Sequence, residues 1–156
     1  FSEQLQRNRK LRKLFFIICF MTDYTIFTDG AYSFARKQGG CAFIILNSKG
    51  KEVTESSKCF VNCTNNQMEM MACIIALESI KTPSEILIMS DSMYVIGTYT
   101  KNSRRKKNQK LWERFDKAID IQKKVDFQHV KGHEDNLYNN RCDQLAVEAT
   151  KICLTK

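Results

Sequence analysis

Four acidic residues, Asp29, Glu69, Asp91 and Asp143, stand where packing alone would not call for a charge. Asp29 closes the β-branched and aromatic run Tyr24-Thr-Ile-Phe-Thr28, and Asp91 follows the almost wholly apolar run Glu85-Ile-Leu-Ile-Met-Ser90. If these runs are neighbouring parallel strands, both carboxylates emerge at one crevice, where α/β sheets bind their ligands. Glu69 has Ala72, Cys73 and Ala76 three, four and seven residues ahead, a small apolar stripe that turns it toward protein rather than water. An unpaired charge there costs on the order of several kcal/mol, so Glu69 calls for a cation. Asp143 shares a helix face with Ala146, Val147 and Thr150 and is expected to behave in the same way. Taken singly, each reads as an ordinary turn, cap or surface acid. Converging on one edge, they would repel one another and hold raised pKa values unless divalent metal neutralised them. Oxygen donors without Cys or His select Mg²⁺ or Mn²⁺ over Zn²⁺. Two such ions about 4 Å apart suit phosphodiester hydrolysis.

Such convergence needs particular elements. Tyr24 to Asp29 reads as a strand ended by Gly30, and Gly39-Gly40 opens a second strand over Cys41 to Leu46. Turn residues Asn47-Ser-Lys-Gly50 lead to a third, Val53 to Val61, which suggests an antiparallel meander. Thr64 or Asn65 caps a helix to about Ile80, with Met68, Met71, Ala72, Ile75, Ala76 and Ser79 at helical spacing. The run Glu85 to Ser90 is a strand buried on both faces, and a short helix follows over Ser92 to Tyr99. A basic segment leads into a helix from about Lys110 to Lys123; then come a last strand, Val125 to Lys131, and a final helix from near Asn139. The order βββαβααβα predicts a mixed α/β architecture with helices on the faces of a sheet.

The segments Thr28-Asp-Gly-Ala31, Thr64-Asn-Asn-Gln-Met-Glu-Met-Met-Ala72, Ser90-Asp-Ser-Met-Tyr-Val95, Val130-Lys-Gly-His133 and Asn140-Arg-Cys-Asp-Gln-Leu-Ala146 resemble those of type 1 ribonuclease H. Their order and spacing agree with that family from Met21 nearly to the C-terminus. The resemblance implies a ribonuclease H-like fold with a five-stranded mixed sheet flanked by helices. It also implies hydrolysis of the RNA strand of RNA–DNA hybrids to 5′-phosphate products, with two Mg²⁺ or Mn²⁺ ions. Asp29, Glu69, Asp91 and Asp143 match the family's metal-binding acids, and His133 its mobile-loop histidine, associated with proton transfer or product release. Thr64, Asn65, Asn66 and Gln67 match the segment that touches phosphate and the minor groove, where 2′-hydroxyls identify RNA. The chain also departs from the family. Tyr32-Ser-Phe-Ala-Arg-Lys-Gln38 replaces a loop rich in glycine and proline, Met93 stands where glutamine is common, and Glu134 and Asp135 follow the histidine. The long basic protrusion of many bacterial members is shortened to Lys101–Lys110. Two rivals to the enzyme reading are a hybrid- or duplex-RNA-binding module without catalysis and a ribonuclease H domain of a reverse transcriptase-like polyprotein. Concentrated negative charge facing phosphates gives a mere binder nothing.

Composition supports a polyanion partner. The chain has 156 residues, 43% hydrophobic and 27% charged, and a net charge of +8 from 25 basic and 17 acidic residues. This suits one globular domain. Lys101, Arg104, Arg105, Lys106 and Lys107 form a patch that nucleic acid would bind through counterion release. Residues 1–20 hold Arg7, Arg9, Lys10, Arg12 and Lys13 against Glu3 alone, then an apolar run from Leu14 to Phe20. That run is too short to span a membrane, and no small-residue cleavage site follows it. Residues 1–20 are expected to be an extension and 21–156 the domain, with Met21 directly before the first strand. Seven cysteines without a C-x-x-C pair predict reduced, packed thiols rather than a disulfide framework, and so a cytoplasmic or nuclear compartment; the chain is expected to be a monomer. Cys59 and Cys63 are expected to pack in or beside a strand rather than to form a disulfide or redox pair. Trp112, with Phe115 and Ile119, should form a buried helix face, and His129 should pack or lie on the surface.

Overall fold

The computed structural model describes residues 13, 17, 21–101, 105–131 and 136–153. Strands β1 (Tyr24–Ser33), β2 (Gln38–Asn47) and β3 (Glu52–Val61) form the meander. They are followed by α1 (Asn65–Ser79), β4 (Glu85–Ser90), α2 (Met93–Thr100), α3 (Gln109–Asp120), β5 (Lys124–His129) and α4 (Leu137–Ala149). The sheet has five strands in the order β3-β2-β1-β4-β5. β1 runs antiparallel to β2 and parallel to β4, and β4 runs parallel to β5. The expectations for residues 1–20 lie outside the described residues, apart from 13 and 17. Among the described residues no helix is long and apolar enough to cross a membrane.

The alternation along β1 divides the core between two layers. Ile26 faces a core shared with Met68, Ile74 and Leu77 of α1 and with Trp112 and Phe115 of α3. Phe27 faces the opposite side, with Ile44, Leu87, Met89 and Cys142 of α4. Trp112 is 2% exposed, so it belongs to the core, as its helical spacing with Phe115 predicts.

Two glycines let the helices approach the sheet closely. A Cβ on Gly30 would lie 2.5 Å from the backbone nitrogen of Glu69, and one on Gly40 would overlap the carbonyl of Ala146. Backbone therefore packs on backbone under both acid-bearing helices. Contrary to the expectation from sequence, Gly30 does not end β1; pairing with β2 continues to Ser33↔Gln38. The antiparallel ladder outlasts the parallel one, which stops at Thr28↔Ser90.

The cysteine expectation needs correction. Cys59 of β3 and Cys153 beyond α4 form a disulfide, 94 residues apart in sequence. Gln38 Nε2 donates to the Cys153 carbonyl and helps hold the chain end against β2. Cys41, Cys63, Cys73 and Cys142 are free thiols, as expected.

Candidate active site

Parallel pairing of Thr28 with Ser90 brings the following residues, Asp29 and Asp91, to the same edge. Asp29 is 3% exposed, and its Oδ1 accepts a hydrogen bond from the Gly30 amide at 2.9 Å. Asp91 is half-buried in the short connection to α2, where Ser90 Oγ accepts from the Ser92 amide and Ser92 Oγ caps Val95. Glu69 arrives from α1, whose start is held by a capping box: Thr64 Oγ1 accepts from the Gln67 amide, and Gln67 Oε1 accepts from the Thr64 amide.

Asp29, Glu69 and Asp91 offer carboxylate oxygens that all lie within 4.8 Å of one another. Burial pushes the Asp29 carboxyl well above the usual range, and the Asp91 charge, then Asp143, push it further. Burial likewise raises Glu69, with Asp29 and Asp91 adding to the effect. Asp91 is raised by burial and by Asp143, against an opposing pull from His129. Asp143 thus stands close enough to act on Asp29, but it is exposed rather than turned into the protein. Of the helix face read from Ala146, Val147 and Thr150, Ala146 and Thr150 are buried, but Val147 is exposed, and so is Asp143 an earlier turn along α4.

The donor set fits a divalent cation. Glu69 is 8% exposed, and its Oε2 is buried without a hydrogen-bond partner. A buried oxygen of this kind is costly unless something positive meets it. The ion pairs among the described residues, Arg105–Asp116, Arg114–Glu78, Lys124–Asp126 and Arg141–Glu55, do not include these acids. Oxygen-only ligands favour a hard ion of the Mg²⁺ or Mn²⁺ type.

Around the carboxylates, Thr64, Asn65 and Asn66 are exposed at the start of α1. The Gln67 amide is otherwise engaged. Its Nε2 donates to Asn108 Oδ1 at 3.0 Å, and Asn108 Nδ2 donates to the Tyr94 hydroxyl at 3.0 Å. Lys101, Lys106 and Lys107 are exposed. Contrary to the basic-patch expectation, Arg105 is already engaged: it pairs with Asp116 at 2.5 Å, and its guanidinium lies 4.5 Å from the centre of the Trp112 ring. Arg104 and His133 lie outside the described residues. His129 is exposed at the end of β5, opposite Ser90.

Asn108 is a contact that the motifs did not reveal, and Tyr94, though inside the motif Ser90 to Val95, had no role read for it. Asn108 precedes α3 in a left-handed conformation, φ 59°, yet its side chain makes no cap hydrogen bond. It spans from α1 to α2 instead. Its position directly before a helix and after a basic run was the available signal, and that signal reads equally well as a cap.

The RNase H family profile matches residues 21–151. A ribonuclease H of Acetivibrio thermocellus is 38% identical over 146 residues, covering 84% of this chain and 97% of its own length. A ribonuclease HI of Shewanella oneidensis is 40% identical over 139 residues, covering 81% of this chain and 86% of its own. The fold is similar to that of an RNase H1 from the halophilic archaeon Halobacterium salinarum, with TM-score 0.72, 23% identity, and coverage of 83% of this chain and 98% of that one. It is similar also to an N-terminal RNase H domain from Mycobacterium tuberculosis, solved as a fusion with maltose-binding protein. There the TM-score is 0.73 and the identity 18%, over 83% of this chain and 94% of that one.

Proposed function

The chain belongs to the RNase H family, and from that membership we propose that it is an endonuclease cutting the RNA strand of RNA–DNA hybrids, leaving 5′-phosphate ends. The observation that carries this reading is the Asp29–Glu69–Asp91 cluster, two of its acids buried and Asp91 half-buried, with an unpartnered Glu69 oxygen. Asp29, Glu69, Asp91 and, from the rim, Asp143 would hold two Mg²⁺ or Mn²⁺ ions. When bound, such ions neutralise charge at the scissile phosphate and lower the pKa of water.

The protein's own contribution is placement. β1 and β4 fix Asp29 and Asp91 through their parallel register, and Gly30 seats Glu69 against them. Exposed Thr64, Asn65 and Asn66 offer hydrogen bonds to the backbone and minor groove of the hybrid. Exposed Lys101, Lys106 and Lys107 offer charge to phosphates. Arg104 extends the same basic run, and Arg105 supports it from its seat on Trp112. His133 is assigned proton transfer or product release on the family resemblance. Residues 1–20 are assigned to an extension outside this machinery.

The test is incubation with labelled hybrid, duplex RNA and single-stranded RNA, each with Mg²⁺ or with chelator. Metal-dependent cleavage of the hybrid's RNA alone, with 5′-phosphate termini, is expected. A hybrid bound in Mg²⁺ but left intact would replace the enzyme with a binding module.

A further inference from the structure

One loop that departs from the family resemblance, Tyr32 to Gln38, follows the candidate site along β1. β1 continues past Asp29 to Ser33, and the chain turns through Phe34–Lys37 before β2 begins at Gln38. Ser33 Oγ accepts from the Arg36 amide, and Lys37 takes a positive φ of 53°, so the tip is a defined turn. Phe34 is 86% exposed. Its ring stands edge-on to Tyr32, with centroids 5.0 Å apart and an interplanar angle of 88°. Arg36 and Lys37 beside it are exposed.

The face on which this pair stands follows from register. Tyr32 is paired with Gly39, and a Cβ on Gly39 would meet Cys63 and Met68. Paired residues share a face of the sheet, so Tyr32 stands beside Cys63 and the exposed start of α1. At the rise of a strand Tyr32 lies about 10 Å beyond Asp29, and Phe34 follows it at the start of the turn. An aromatic platform flanked by cations therefore projects from the same edge as the carboxylates.

We propose that Phe34, braced by Tyr32, stacks on an unpaired base next to the hybrid, while Arg36 and Lys37 meet the phosphates of that single-stranded segment. This rests on the hybrid reading above and narrows its substrate to hybrids that adjoin single strand. Inside a paired helix both faces of each base are covered by neighbours; an unpaired base leaves one open to an aromatic ring. Stacking of this kind tolerates any sequence. A basic surface alone would bind paired and unpaired phosphates alike.

The experiment measures binding in metal-free buffer, so that cleavage plays no part. A blunt hybrid is compared with the same hybrid carrying a short single-stranded extension at either end, with 2-aminopurine as the first unpaired base. The parent chain should bind the extended hybrid about tenfold more tightly than the blunt one, with quenched fluorescence. Phe34→Ala should lose both the preference and the quenching, and Phe34→Trp should keep them. Equal affinity of the parent for the two hybrids would overturn the proposal, as would an undiminished preference in Phe34→Ala. Failure of the parent to bind either hybrid would sink the hybrid reading itself, and this inference with it.

Discussion

Replacing Gly30 by alanine probes how Glu69 is set into the site. The new Cβ would lie 2.5 Å from the Glu69 nitrogen and 2.6 Å from the Met68 carbonyl carbon. Comfortable carbon contacts need about 3.5–4.0 Å, so α1 must retreat by roughly 1 Å. Both obstructing atoms are backbone and cannot swing aside. Gly30 has no left-handed backbone, so backbone strain adds nothing, and alanine would otherwise favour folding by about 0.4–1 kcal/mol. Overpacking costs about 1–3 kcal/mol. In a chain of this size that lowers Tm by about 3–10 °C. The same retreat carries Glu69 away from Asp29 and Asp91, and a misplacement of about 1 Å can cost roughly a hundredfold in rate. Thermal melting by circular dichroism and cleavage of labelled hybrid in Mg²⁺ would measure the two effects. Gly97→Ala is the control, because a Cβ there meets nothing within 4 Å; it should raise stability by about 1 kcal/mol. A Gly30→Ala protein that melts and cleaves like the parent would refute the close seating of α1.

Metal-free protein should lose stability as pH rises. Asp29 and Glu69 are raised above their unfolded values, so the native state holds protons that the unfolded chain has released. Their contribution is complete below the ordinary carboxylate range and is lost as pH climbs through the raised values. Melting should accordingly fall from mildly acidic to mildly alkaline pH, and both Mg²⁺ and Asp29→Asn should blunt that fall; a flat profile without metal would contradict it. Replacing Lys101, Lys106 and Lys107 by alanine should flatten the slope of log affinity against log salt by up to about 3 and raise KM more than it lowers kcat. An unchanged slope would make them solvated surface. Asn108→Ala should cost about 1–3 kcal/mol, because it strands Gln67 and Tyr94 and leaves alanine in a left-handed backbone; melting tests this, and an unchanged Tm would show the bridge to be idle.

Much of the fold was legible because local pattern and burial agree. The run Glu85 to Ser90 is buried from its second residue onward, as an apolar strand between two layers must be. The capping box at Thr64 and Gln67 lies within four residues, so its chemistry is local. Asp29, Glu69 and Asp91 were legible because each combined a carboxylate with apolar surroundings. What sequence could not show depends on residues far apart in the chain. The Cys59–Cys153 pair spans 94 residues and follows from α4 returning along β2 and β3. The link from Gln67 through Asn108 to Tyr94 joins three separate helical regions. Arg105 looked like one more cation in a run, yet Asp116 and the face of Trp112 occupy it. Asp143 shows the limit of a helical stripe: the same periodicity that buries Ala146 leaves a residue one turn earlier at the open rim.

The most direct test of the carboxylate site is the cleavage rate of Asp91→Asn on labelled hybrid in Mg²⁺, measured beside hybrid binding in chelator. The substitution nearly preserves shape where Asp91 sits half-buried, while removing one of the three converging charges. Hydrolysis should fall by at least about a thousandfold, since several kcal/mol of transition-state stabilisation is lost with the metal geometry. Melting and binding should stay at or above the parental level, because a charge that repels phosphate is gone. Cleavage by Asp91→Asn at the parental rate would contradict the assignment of this cluster as the catalytic centre.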